Sequence, residues 1–245
     1  MRELGLIGKT LSHSFSKVYF EEKFHSENIT DTSYSLFEIA DIKQLPMFIL
    51  QHPQLVGFNV TIPYKQQIIP FLDELSEEAS AVNAVNAVLV KHIGNKTHTT
   101  GYNTDIEGFR KSLEGMTIPQ KAMVLGTGGA AAAVIHVLKQ MGCQTTIVSR
   151  DSRKGLPYSE LTPDIIAAHK LIVNCTPLGT FPNINEKPDI PYNGISGDHF
   201  LYDLVYNPSE TAFLKEGAHR GAKTQNGLQM LHIQAEAFWQ LTCDV

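Results

Sequence analysis

At 245 residues, 42% apolar and with a formal net charge of −5, the chain suits one large domain or two modest ones and has no basic surplus for nucleic acid. No run of like charge suggests a binding tail, and no segment is long and apolar enough to span a bilayer. The opening Met1–Gly8 reads as a strand entering a glycine turn, without a signal-peptide layout. Cys143, Cys175 and Cys243 form no paired motif and the ten histidines are dispersed, so the expectation is a cytoplasmic protein with reduced, buried thiols and no metal.

Taken in chain order, the apolar pattern predicts strand Glu3–Ile7, helix Ser16–Ser26, strand Thr32–Glu38, helix Ile42–Leu50, strand Leu55–Val60 and a helix near Gln66–Leu72. Val85–Lys91 and His98–Tyr102 read as two short strands around the turn signal Gly94-Asn95. Asp105–Leu113 follows as a helix with Thr104 as its cap. A second alternation begins at Lys121, with strand Met123–Leu125, helix Ala131–Met141, strand Thr145–Val148, a partly helical Ser159–His169, and strands Leu171–Asn174 and Phe200–Val205. Helices Ser209–Arg220 and Gly227–Leu241 complete it. Alternating strands and helices imply α/β architecture with mostly parallel sheets, and two series with separate apolar sets fit two α/β domains better than one.

Two segments carry chemistry. Gly126-Thr127-Gly128-Gly129-Ala130 lies between a buried strand and a helix rich in alanine, where small residues admit a pyrophosphate to free N–H groups at the helix start. About 20 residues later, where such folds read the adenosine ribose, stand Ser149, Arg150, Arg153 and Lys154. The pair of signals reads as a dinucleotide site preferring the 2′-phosphate form. In the second segment, Gly57-Phe-Asn59-Val-Thr61-Ile-Pro63-Tyr-Lys65, Asn59 and Thr61 alternate near a strand end, Pro63 stops the strand, and Lys65 opens a helix where the macrodipole disfavours a cation. Asn86, Asp105, Ser14, Ser16, Met230 and Gln234 sit at element ends or on the last helix. From pattern alone each is as well read as a cap or turn residue as a site residue.

Ordered together, these segments resemble shikimate dehydrogenase along essentially the whole chain. The matching motifs are Ile7-Gly8, His13-Ser14-x-Ser16, Asn59-Val-Thr61-x-Pro63-x-Lys65, Ala84-Val-Asn86 and Gly101-x-Asn103-Thr104-Asp105-x-x-Gly108. Then follow the glycine loop, Arg150, Asn174-x-Thr176-x-x-Gly179, Asp203-Leu-Val-Tyr206-x-Pro208-x-x-Thr211 and Gly227-x-x-Met230-Leu231-x-x-Gln234. The resemblance implies that Ser14, Ser16 and Tyr206 bind a substrate carboxylate, that Asn59, Thr61, Asn86, Asp105 and Gln234 hold ring hydroxyls, and that Lys65 and Asp105 form the catalytic pair. It implies that Gly126–Ala130 hold the pyrophosphate, that Ser149 and Arg150, with Arg153 or Lys154, surround the 2′-phosphate of NADP, and that Thr176, Leu204 and Gly227 line the nicotinamide side.

The implied fold is a substrate-binding domain, 1–103 completed by 228–245, and a Rossmann-like NADP-binding domain, 104–227, separated by a cleft. The implied activity is reversible NADPH-dependent reduction of 3-dehydroshikimate to shikimate, in a monomer or homodimer with no nucleic-acid or membrane partner. Asp151 beside Arg150 keeps an NAD-dependent quinate/shikimate dehydrogenase open as an alternative. A nucleotide-sensing protein without catalysis is a third reading, against which the retention of both Lys65 and Asp105 argues.

Overall fold

A computed structural model of the chain describes residues 1–11, 15–94 and 96–243. The chain divides into two compact units, Met1–Thr104 with Gln234–Val245, and Asp105–Ile233.

The first unit contains β1 (Arg2–Gly8), α1 (Phe15–Ser26), β2 (Thr32–Glu38), α2 (Leu45–Gln51), β3 (Leu55–Val60), α3 (Tyr64–Gln67), β4 (Glu74–Leu75), α4 (Glu77–Val82), β5 (Ala87–Ile93) and β6 (Lys96–Tyr102). Its sheet runs β2-β1-β3-β5-β6-β4. β1 pairs in parallel with β2 and β3, and β4 with β6, whereas β5 is antiparallel to both β3 and β6, so this sheet is mixed with three of its five pairings parallel. The short turn at Gly94 allows only a hairpin return from β5 to β6. Side chains of successive strand residues point to opposite faces. Accordingly Leu4 and Leu6 pack with Phe20, Phe24, Tyr34 and Phe238 on one face, while Ile7 joins Leu45, Ile49, Leu55, Phe58 and Ile68 on the other.

The chain leaves this unit in α5 (Thr104–Ser112) and returns in α9 (Leu228–Cys243). Between them lie β7 (Lys121–Leu125), α6 (Gly129–Gln140), β8 (Gln144–Ser149), β9 (Leu156–Pro157), α7 (Pro163–Ala168), β10 (Leu171–Asn174), β11 (Phe200–Asp203), α8 (Ala212–Ala218) and β12 (Lys223–Gln225). The second sheet, β12-β11-β10-β7-β8-β9, is parallel throughout. Counted along the chain, its strands lie in the order 3-2-1-4-5-6. This is the doubly wound dinucleotide-binding arrangement, whose direction of progression reverses between β7 and β10.

Several boundaries differ from expectation for local reasons. The helix expected near Gln66–Leu72 is α3 followed by a 3-10 turn at Ile69–Phe71, because Pro70 has no N–H to continue α-helical bonding. Thr104 is not the cap of α5 but its first residue, and the side-chain oxygen of Asn86 accepts its N–H at 2.7 Å. The helix expected from Ala131 starts at Gly129, with the Ala132 N–H bonded to the Gly128 carbonyl at 3.0 Å. The expectation of buried thiols holds for Cys143 alone. Cys175 is partly exposed and Cys243, in the last turn of α9, is exposed, and all three are free.

Candidate functional site

In the first unit the site residues gather where β1 and β3 end. The Thr61 N–H donates to the Ile7 carbonyl at 3.0 Å, and the Tyr64 N–H closes a turn onto the Thr61 carbonyl at 2.9 Å. That turn delivers Lys65 as the second residue of α3, and its main chain is held from both sides. The buried Tyr64 hydroxyl donates to the Ile39 carbonyl at 2.5 Å, and the Lys65 carbonyl accepts the Val85 N–H at 2.7 Å. Lys65 and Thr61 remain half-buried.

Beside them runs a chain of buried polar side chains. It starts at the Tyr34 phenol of β2, near Ser16 in the first turn of α1. The phenol donates to Asn59 Oδ1 at 2.9 Å, and Asn59 Nδ2 donates to the Asn86 carbonyl at 3.4 Å. Asn86 Nδ2 donates to Thr104 Oγ1 at 3.0 Å, and Thr104 Oγ1 lies 3.3 Å from Gln234 Oε1. Three expected site residues, Asn59, Asn86 and Gln234, therefore belong to one hydrogen-bonded system. Burial pushes the Tyr34 hydroxyl far above the ordinary tyrosine range, with the nearby Ser16 hydroxyl acting against it. Ser14 lies outside the described residues.

The second unit carries Asp105, buried in the first turn of α5, and half-buried Tyr206, whose hydroxyl is raised by burial. The other expected residues lie at the carboxyl ends of the strands, where open α/β sheets bind ligands. Gly126 adopts φ +117, and a Cβ there would press on the Cys175 carbonyl at 3.2 Å, so the turns after β7 and β10 meet across a glycine. Thr127 and Gly128 are exposed, and a Cβ at Gly128 would meet no protein atom within 4 Å. The first-turn N–H groups of α6 have no intrahelical partner, and its glycine N-cap has no side chain to satisfy them. Open space above a bare helix start fits a pyrophosphate.

At the end of β8, buried Ser149 accepts the Asp151 N–H at 3.0 Å and Arg150 is exposed. Arg153 grips Asp151 through Nε at 2.9 Å and Nη2 at 2.8 Å, which holds the Asp151 carboxyl below its usual range. Lys154 is exposed. Thr176 donates through its N–H and hydroxyl to Asn174 Oδ1 at 3.0 and 2.6 Å. Asn174 in turn donates to buried Asp203 at 2.9 Å, and Asp203 also accepts from Thr211 Oγ1 at 2.6 Å and the Val205 N–H at 3.0 Å. Loss of water lifts the Asp203 carboxyl to about 6, although all three hydrogen bonds favour its charged form. Gly227 is buried against the backbone of Leu204, where a Cβ would collide with the Leu204 carbonyl.

Reasoning from sequence missed Tyr34 and the roles of Thr104, Asn174, Asp203 and Thr211. The last four stand within the motifs already quoted, so their signal was available. Tyr34 carried none, since a tyrosine in a strand reads as core.

Comparison with known proteins follows the same lines. Residues 6–88 match the family model described as shikimate dehydrogenase substrate binding domain. A Caldicellulosiruptor bescii protein described as shikimate dehydrogenase (NADP(+)) is 38% identical, over 98% of this chain and 89% of its own. The crystal structure of shikimate 5-dehydrogenase from Thermus thermophilus, in complex with NADP(H) and shikimate, is 29% identical with a TM-score of 0.86, covering 100% of this chain and 94% of its own. Quinate dehydrogenase from Corynebacterium glutamicum, in complex with NAD, gives the same TM-score, identity and coverage.

Proposed function

The chain belongs to the shikimate dehydrogenase family, and we propose that it catalyses the reversible NADP-dependent reduction of 3-dehydroshikimate to shikimate, in the biosynthesis of aromatic amino acids. The observation that carries this reading is the polar system running through Asn59, Asn86 and Gln234 beside the anchored Lys65. It offers a small polyhydroxylated acid several donors and acceptors and one cation.

NADPH, when bound, supplies the hydride, and the protein supplies orientation and charge. Gly126, Thr127, Gly128, Gly129 and Ala130 hold its pyrophosphate, Ser149, Arg150 and Lys154 its 2′-phosphate, and Thr176, Leu204 and Gly227 its nicotinamide end. Arg153 contributes through Asp151, whose negative charge it offsets beside Arg150. Ser14, Ser16 and Tyr206 take the substrate carboxylate, and Asn59, Thr61, Asn86 and Gln234 take ring hydroxyls. Lys65 donates a proton to the carbonyl oxygen as that oxygen gains negative charge, with Asp105 orienting the ammonium. A lysine that both polarises and protonates the carbonyl leaves no role that requires a metal. The 1–103 and 228–245 segments serve the substrate and 104–227 the cofactor. The protein works in the cytoplasm, as monomer or homodimer, on small molecules alone.

Absorbance of reduced nicotinamide tests the reading, with NADP or NAD offered together with shikimate or quinate. Fast turnover is expected only for NADP with shikimate. Faster turnover of quinate with NAD would move the protein to the neighbouring activity, and no turnover of any pair would make it a sensor.

A further inference from the structure

We infer that Tyr34 is a positioning residue for substrate recognition, setting which end of the Asn59 side chain faces the substrate. The inference rests on the functional reading above and goes past it, because Tyr34 belongs to none of the motifs. Tyr34 is 4% exposed and lies within β2, its ring stacked on Phe20 with centroids 4.5 Å apart. The ring is thus fixed by packing, and its hydroxyl is the one polar atom it brings into that wall.

The hydrogen bond on that hydroxyl has a set direction. Asn59 Oδ1 is an acceptor and nothing else, so the phenol gives its proton to Asn59. With Oδ1 turned to Tyr34, the Nδ2 end of Asn59 is the one left to face other partners. One N–H reaches the Asn86 carbonyl at 3.4 Å, and Nδ2 carries a second. Asn59 therefore meets the substrate as a donor, and the ring hydroxyl it holds is read as an acceptor. Were the amide turned over, the phenol proton would lose Asn59 as its acceptor and Oδ1 would face the Asn86 carbonyl, acceptor against acceptor. That arrangement leaves a buried polar group unpaired.

The test is a double-mutant cycle, read as KM for shikimate at saturating NADP+. Tyr34→Phe keeps the stacked ring and removes only the hydroxyl. It is expected to raise KM for shikimate by roughly five- to thirtyfold, the scale of one orphaned buried acceptor, and to leave KM for NADP+ within about twofold. Because Tyr34 acts through Asn59, the Tyr34→Phe/Asn59→Ala protein should match Asn59→Ala alone. An unchanged KM in Tyr34→Phe overturns the inference, and so do effects that simply add. If Tyr34→Phe does not fold, Asn59→Asp decides. It still accepts from Tyr34 but has no proton to donate, so KM for shikimate should rise at least as far as in Asn59→Ala. A normal KM there means the substrate meets an acceptor, which also overturns the inference. Wild-type protein that ignores shikimate would instead remove the functional reading and the inference together.

Discussion

Arg153 holds both carboxylate oxygens of Asp151, two residues before it, at 2.9 and 2.8 Å. The acid that would favour an unphosphorylated ribose is thereby countered from within its own loop, and Arg150 stands exposed beside it. A guanidinium grips a phosphate with paired, charge-assisted bonds, whereas NAD offers only hydroxyls there. NADP should be preferred by at least about tenfold in kcat/KM, and Arg150→Ala should remove most of that preference by weakening NADP alone. Arg153→Ala should lower it by roughly two- to fivefold, and less at high salt, by releasing the charge of Asp151. Equal use of both cofactors by the unmodified protein would refute this account.

Two glycines should respond in opposite ways. A methyl at Gly128 enters open space, so Gly128→Ala should melt normally without cofactor yet raise KM for NADP+ by about tenfold or more, since it fills the place of the pyrophosphate. A methyl at Gly227 strikes the Leu204 backbone, so Gly227→Ala should lose about 1–3 kcal/mol of stability before any ligand is added. Thermal melts with and without NADP+ separate the two, and a destabilised Gly128→Ala protein would contradict the first half.

Lys65→Ala should lower kcat by roughly 10²–10⁴-fold, the usual loss when a general acid is removed. KM for shikimate should move far less. A variant with near-normal kcat and only a raised KM would make Lys65 a binding residue.

Asp203 should leave a mark on stability against pH. Its folded pKa of about 6 stands above the ordinary 3.8, so the folded protein holds this proton more tightly than the unfolded chain does. The stabilisation is complete below pH 3.8 and is lost as pH rises to about 6, after which the curve is flat. Its size is at most about 3 kcal/mol. Denaturant melts between about pH 4 and 7 should show this fall in the wild type and not in Asp203→Asn. The same slope in both would assign it to other groups.

Most of the scaffold was legible because its signals are local. Thr32–Glu38 and Leu55–Val60 are strands with the expected bounds, and the strand, glycine turn and helix around Gly126 follow from a few adjacent residues. The two- and three-residue strands Glu74–Leu75, Leu156–Pro157 and Lys223–Gln225 were not, since so short a run has no periodicity. Helix Glu77–Val82 was missed although Ser76 caps it onto the Ala79 N–H and two glutamates open it. At the site, residue types pointed to Asn59 and Asn86, but not to what holds them. Tyr34 and Asn59 are 25 positions apart, and Asn86 and Thr104 are 18 apart. Only strand order brings such pairs together, and no window of sequence contains it.

The return of α9 to the first unit has a consequence for synthesis. Phe238 lies fully buried edge-on against Phe20, and Trp239 packs on Phe24. These partners leave the ribosome more than 200 residues after the rings they cover, behind the whole of Asp105–Ile233. The unit begun first is thus the one finished last. While the inserted unit emerges with its parallel sheet already complete, Phe20 and Phe24 wait with part of their apolar surface unburied, and a nascent chain in that state is the form most exposed to aggregation or chaperone capture.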